Sequence, residues 1–546
     1  MPPPKTKLCS SRTVVSCVFC AALLFNVILV CHSVMHLSRK AMVSEHGASR
    51  RAPPLTLLIL LQPSPVDQSN QVSRLSTIDE LSWGQWIARS EKLAGLIAVY
   101  AGLPLKSGEP VASYQNIGVI PLTPVEVVTE IPTQAAYSYM IHQFVSVLRL
   151  STRPFKWFFF ANDHTFLVPE NLMCFLEGRD SELPVYAGNI LQRGIFRNVP
   201  LKFASGGAGV VLSHTSLKLL VLAWVLTDNP LLKFPLSGSG KADEGCKASD
   251  LTGVGGGEVS LVDLGGEGFD CALSRVKSWL LSPKSTESEL PLRGGQLTIR
   301  VSSKVLLLVS GSIQEPNTLV VHYQTSPDHE RGHTPVVRVL PMEILSKCNA
   351  VTAWDRINPG LVVAYCLQHV FSASLVPTTA ERESAERFNV FGSIRTLIGD
   401  VDSWYTECKN NLPPGSLEKT PNQVPPKPLA VAQDVISFHY VSQKESILLY
   451  QLLSRRLVVT TPQQLIDLWP TSDKDVGHYS RRIKNHLEAT ALINFINRTI
   501  VGVCTPLTSL MQRGTRRTGE SGNLISKFVK YDTDSYSKPQ IEDGDQ

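Results

Sequence analysis

What this 546-residue sequence lacks narrows its function before any motif is considered. It has no basic patch interleaved with aromatic side chains, and its net charge is only +5. Both argue against a nucleic-acid partner, whose phosphates require a concentrated positive face. Internal repeats are absent. Long uncharged runs are scarce as well. "LTLLILL" at Leu55–Leu61 is far too short to span a bilayer and suits a buried strand. Only one Asn-x-Ser/Thr acceptor occurs, Asn497-Arg-Thr.

One run does reach membrane length. Residues 13–34, "TVVSCVFCAALLFNVILVCHSV", contain no Asp, Glu, Lys or Arg. Lys5, Lys7 and Arg12 precede it, and Arg39 and Lys40 follow. The positive-inside rule favours a cytoplasmic tail at 1–12, a single transmembrane signal anchor at 13–34 and a polar stem at 35–53. A cleaved signal peptide is the rival reading, although no Ala-x-Ala-like cleavage site follows the run. An uncleaved anchor places the remainder in the secretory lumen. Seven cysteines lie beyond it, an odd number, so at least one is left over from any disulfide pairing within the chain.

The composition, 43% hydrophobic and 18% charged, supports a large buried core. From residue 54 the pattern alternates strand and helix. "PPLTLLILLQPSP" is an apolar run bounded by prolines, as expected of a central parallel strand. "WGQWIARSEKLAGLIAVYAG" reads as helix then strand, and "NIGVIPLT" as a strand. "TQAAYSYMIHQFVSVLRL" has helical spacing, with Tyr137, Met140, Ile141, Phe144 and Leu148 on one side. The strand "KWFFF" and then "PVYAGNIL" follow. Ser213 is placed to cap the helix after "GVVLS". The class is α/β with a mostly parallel sheet. Residues 231–346 break the pattern. They are rich in Gly and Ser, with strand-like pieces but no helical partner, and read as a low-complexity insertion, either a structureless loop or translated non-coding sequence. A Pro-rich linker precedes "DVISFHYVSQKESILLYQLL", a strand then a helix. Residues 456–510 form a helical extension, and 511–546 a polar, disordered tail.

Ligands in such sheets bind at the carboxyl ends of strands. "WFFFANDHT" ends there in Asn162, Asp163 and His164. Imidazole and carboxylate are metal-ligating groups, whereas a capped turn with Asp163 holding backbone amides is the structural alternative. In a fully extended chain Asn162 and His164 point one way and Asp163 the other, unless the chain turns. Gly206, Gly207 and Gly209 in "FASGGAGVVLS" allow close backbone packing or approach to a ligand.

"WFFFANDHTFLVPENL", "YAGN", "FASGGAGVVLS", "ERFNVFG" and "ISFHYV" occur in the order found in Fringe-like β1,3-glycosyltransferases. The chain most resembles the core 1 β1,3-galactosyltransferase branch, over roughly residues 55–453 without the insertion. That resemblance implies a GT-A-type nucleotide-sugar-binding domain at 54–455 with a mostly parallel mixed sheet. It also implies a single-pass Golgi membrane location and inverting transfer of a hexose, galactose in the family, from a UDP-sugar to a glycan or glycoprotein acceptor. The same branch includes a non-catalytic member that serves as a folding partner, so a homo- or hetero-oligomer is compatible with it.

Carried over residue by residue, the family's acidic triplet falls on Asn162, Asp163 and His164. His164 then stands where an aspartate binds Mn²⁺, and His439 of "FHYV" supplies the second ligand. Asn162, Asp163, Ser205, Gly206 and Gly207 would contact the donor. The metal would act as a Lewis acid on the leaving UDP. The family's Glu-Asp pair, before a short helix ending in cysteine, is replaced by Pro359 and Gly360 ahead of Cys366. Asp355 is the nearest substitute for the general base, with Asp400 and Asp402 further away and the Asp243-Glu244 pair in unsuitable surroundings.

Overall fold

The computed structural model describes residues 57–62, 68–104, 114–122, 155–196, 199–226, 258–261, 273, 276, 296–311, 318–325, 336–341, 359–371, 373–376, 378–380, 385–410, 429–469 and 482–504. The tail, anchor and stem expected at 1–53 lie outside them, as do the helix expected around Tyr137–Leu148, Asp355, the Asp243-Glu244 pair and the C-terminal tail. Among the described residues no helix is long and apolar enough to cross a membrane.

A seven-stranded sheet forms the centre. Its strands in chain order are β1 (Leu57–Gln62), β2 (Ile97–Pro104), β3 (Ile117–Leu122), β4 (Trp157–Asn162), β5 (Val185–Gly188), β6 (Val210–Ser213) and β7 (Ser374–Val376). They lie in the order β3-β2-β1-β4-β6-β5-β7. Only β6 runs against its neighbours, pairing antiparallel with both β4 and β5. Leu57 to Leu61 are all buried, because a parallel central strand is covered on both faces. Strand order reverses between β1 and β4: the chain first builds outward through β2 and β3, then returns to the other side of β1. The two strands end in register, Gln62 beside Asn162. This is the topological switch point, where the loops of adjacent strands diverge and leave a crevice.

Helices Gln68–Leu81 and Trp83–Arg89 follow β1, and helix His214–Leu226 follows β6. Ser213 caps the last of these as expected, its hydroxyl accepting the Ser216 N–H at 3.1 Å. Leu217 and Leu219 to Ala223 are fully buried.

The insertion is not wholly without structure. Strands Glu258–Ser260, Gln296–Arg300, Val305–Gly311, Thr318–Thr325 and Val336–Pro341 form a second, five-stranded sheet, a meander in its last four strands. Leu297, Ile299 and Val301, then Val305, Leu307 and Val309, are buried at every second position, which fixes one face inward and so the register. The turn between those strands packs on the central domain. Lys218 Nζ donates to the Val301 carbonyl at 3.2 Å, Ser302 Oγ to the Glu182 carbonyl at 2.7 Å, and Lys304 pairs with Asp180. The strand-like pieces were readable in the sequence; that neighbouring pieces pair into a meander, and that Glu258–Ser260 joins Gln296–Arg300 across a long intervening stretch, was not.

The C-terminal extension contains helices Pro462–Leu468 and His486–Arg498. A disulfide joins Cys174, in helix Pro169–Leu176, to Cys504. Cys366 is also disulfide-bonded.

Candidate functional site

Five separated segments meet at the carboxyl end of β4. Phe166–Leu167, Ser437–Phe438 and Phe388–Asn389 form a three-stranded sheet with Ser437–Phe438 in the middle. This joins the continuation of "ANDHT" to "SFHY" and "FNVF". The glycine motif is fastened to both: the Thr165 hydroxyl donates to the Gly207 carbonyl at 2.8 Å, and the Ser437 hydroxyl donates to the Ala208 carbonyl. Asn189 of "YAGN" accepts the Ser205 N–H at 2.9 Å and donates to the Phe388 carbonyl.

The chain turns immediately after β4. Asn162 Oδ1 accepts the His164 N–H at 3.0 Å, the pattern of an Asx turn. The turn is therefore capped by Asn162 rather than by Asp163. With Oδ1 so engaged, the amide Nδ2 is the donor to His439 Nε2, 2.8 Å away. His439 is buried, and its pKa is pushed down to about 3, first by burial and then by the nearby His164. It is a neutral imidazole. Tyr440, in the left-handed region at φ +54°, stacks on it with ring centroids 3.6 Å apart. Such a conformation in a large residue is costly and persists only where surroundings enforce it. Here the chain doubles back so that the Val441 N–H reaches the His164 carbonyl at 3.0 Å.

Because of the turn, Asp163 and His164 reach the same partner. Arg74 of helix Gln68–Leu81 places Nη1 3.3 Å from Asp163 Oδ2 and 2.6 Å from His164 Nε2. A guanidinium only donates, so His164 Nε2 is the acceptor. The Asp163 and Arg74 side chains are 0% and 3% exposed. A cleft opens beside this group, lined by Arg74, Thr77, Asp163, His164, Gln443 and Ser446. Arg74 escaped the sequence reading because a lone arginine among polar residues resembles a solvated helix face. The available signal was position: it is the sole basic residue of the helix that follows β1, next to the switch point.

The glycine motif divides into distinct duties. A Cβ on Gly207 would fall 2.0–2.4 Å from ring atoms of His439, and one on Gly209, at φ +94°, 2.2 Å from the Phe159 ring. Both glycines admit an aromatic ring. A Cβ on Gly206 would meet nothing within 4 Å, so this is the position that opens toward space. Ser205 is buried.

The donors do not fit a divalent cation as they stand. An ion held by Asp163 and His164 would need the place of Arg74 Nη1, and His439 Nε2 already accepts from Asn162. A dication about 4 Å from a guanidinium is repelled by roughly 8 kcal/mol at an effective dielectric constant of ~20. Among the described residues, the cluster of three metal-type donor atoms within 4.8 Å is Cys174, Glu177 and Cys504, and its two sulfurs form the disulfide. Of the base candidates, Asp402 and Asp400 both face Arg395, at 2.7 and 3.8 Å. Pro359 and Gly360 open helix Pro359–Tyr365 and carry no titratable group. No protein-family model matches the chain.

Proposed function

We propose that this protein binds a UDP-sugar in the crevice at the ends of β1 and β4 and transfers the hexose to a glycan or glycoprotein acceptor, as a GT-A-type transferase of the Fringe-like class. The observation that carries this reading is the convergence at the switch point of all five motif segments, which are spread between residues 157 and 441. The order of the mixed sheet and the open position at Gly206 agree with it. In the transfer, an acceptor hydroxyl oxygen bonds to the sugar's anomeric carbon. The bond from that carbon to the β-phosphate oxygen breaks, its electron pair leaves with UDP, and the hydroxyl proton passes to a carboxylate. Asp355 is assigned that last role from its place in the sequence. Galactose as the sugar and β1,3 as the linkage rest on the motif resemblance. The Cys174–Cys504 disulfide suits a secretory-pathway lumen.

A second reading, a non-catalytic partner of an active transferase, is favoured by two observations. Pro359 and Gly360 stand where the family has its acidic pair, and Arg74 already occupies Asp163 and His164. Calorimetric titration of the full-length chain with UDP and with UDP-galactose, UDP-glucose and UDP-N-acetylglucosamine, followed by assay for released UDP, separates the readings. Binding with turnover that Asp355→Asn abolishes is the expected result. Binding without turnover on any acceptor supports the second reading, and no binding of any of these nucleotides rejects the first.

A further inference from the structure

Resting on the nucleotide-binding reading, we propose that Arg74 is the positive group of this corner in place of a divalent cation, and that the diphosphate is held there without metal. The argument is geometric. One guanidinium nitrogen is within bonding reach of both side chains that a metal would require, Asp163 and His164. The arrangement is built from several directions rather than by a mobile surface side chain. Arg74 is 3% exposed and projects from a helix of the central domain. His164 is held by its own N–H on Asn162 and its carbonyl on Val441, and Asn162 is held in turn by His439. The Asp163 carboxylate is fully buried and needs a cation beside it. Arg74 meets that need permanently, so no exchangeable ion is required to keep the corner folded. The same arginine lines the cleft, and a guanidinium's planar fork of donors suits phosphate oxygens in a way that the single ammonium of lysine does not reproduce.

The test is UDP titration of the full-length chain by calorimetry, once in EDTA and once in millimolar MnCl₂. The expected result is the same affinity in both within about twofold. Arg74→Met removes the cation but strands the buried carboxylate, so it risks misfolding. The double variant Arg74→Met/Asp163→Asn removes both charges together, and its melting transition verifies the fold. The folded double variant is expected to bind UDP at least tenfold more weakly, and Arg74→Lys to fall between it and the unaltered protein. UDP binding that is tenfold stronger with Mn²⁺ than with EDTA overturns this proposal and leaves the nucleotide reading standing. A folded double variant that binds UDP as the unaltered protein does also overturns it. No binding of UDP in either buffer overturns both.

Discussion

Gly206 and Gly207 are neighbours with opposite requirements. Gly207→Ala forces a methyl group into the His439 ring, and overpacking of this kind costs about 1–3 kcal/mol. Gly206→Ala points into open space and is expected to leave stability unchanged within about 0.5 kcal/mol. Urea denaturation of the two variants checks the contrast, and equal losses would contradict it. Glu445 yields a prediction in pH. Burial pushes its carboxyl up to about 7, against partial offset from bonds donated by Ser393 and Ser442. The folded protein therefore holds a proton that the unfolded chain releases from about pH 4.5 upward. The residue's contribution is most favourable at low pH and worsens as pH rises to about 7, by up to roughly 3 kcal/mol. Glu445→Gln has no proton to lose. It is expected to be more stable than the unaltered protein at pH 8, with the gap closing at pH 5. The opposite sign applies to His214 and His439, both pushed down to about 3 by burial. Their contribution is complete above about pH 6.5 and is lost as pH falls toward 3, so His439→Asn should flatten part of the acid limb in the same denaturation series.

At the scale of elements, strand and helix types were largely legible, because apolar runs such as Leu57–Leu61 and Trp157–Phe159 admit few alternatives. Less legible were the short strands that assemble the site. Phe166–Leu167 and Phe388–Asn389 are two residues each and have no period to read, whereas Ser437–Phe438 lies in the stretch read as a strand ahead of helix Gln443–Leu453. Their pairing is made by backbone bonds such as His439 N–H to the Asn389 carbonyl and Val168 N–H to the Ile436 carbonyl. Side-chain bonds from Thr165, Ser437 and Asn189 tie the segments to the glycine motif and to one another, contacts that only the folded chain reveals. Helix Gln68–Leu81 was missed for a related reason: its mixed polar surface gives little contrast between faces, and Arg74 went with it. The last described segment is anchored by more than its disulfide. Asn171 donates to the carbonyls of Val435 and Ile500 and accepts the Gly502 N–H, and Phe495 packs edge-on against Phe438. The crosslink spans 330 residues, for which loop-entropy arguments give on the order of 5 kcal/mol. Cys504→Ser is therefore expected to lower stability by several kcal/mol while the helix His486–Arg498 stays docked. Hydrogen exchange should show protection lost at 499–504 before it is lost in that helix; simultaneous loss would mean that the disulfide alone holds the extension.

For the whole molecule, ligand linkage supplies the broadest test. A nucleotide that binds only the folded protein, at a hundred times its dissociation constant, stabilises it by about 2.7 kcal/mol. UDP is expected to raise the melting temperature in EDTA as much as in Mn²⁺, and a rise confined to Mn²⁺ would return the corner to metal chemistry. The second sheet enters at this scale too, since the buried contacts of Val301 and Ser302 against Lys218 and Glu182 make it part of the body's packing. The Cys174–Cys504 link also carries a consequence for biosynthesis. The ribosome delivers the second cysteine 330 residues after the first, roughly 15–70 s later at ~5–20 residues per second. Through that interval Cys174 has no Cys504 to pair with, and for most of it, until residue 439 is made, Arg74, Asp163 and His164 are present without His439. The corner is complete only once residues 439–446 have emerged, so what shields the half-made corner until then is expected to influence the yield of folded protein.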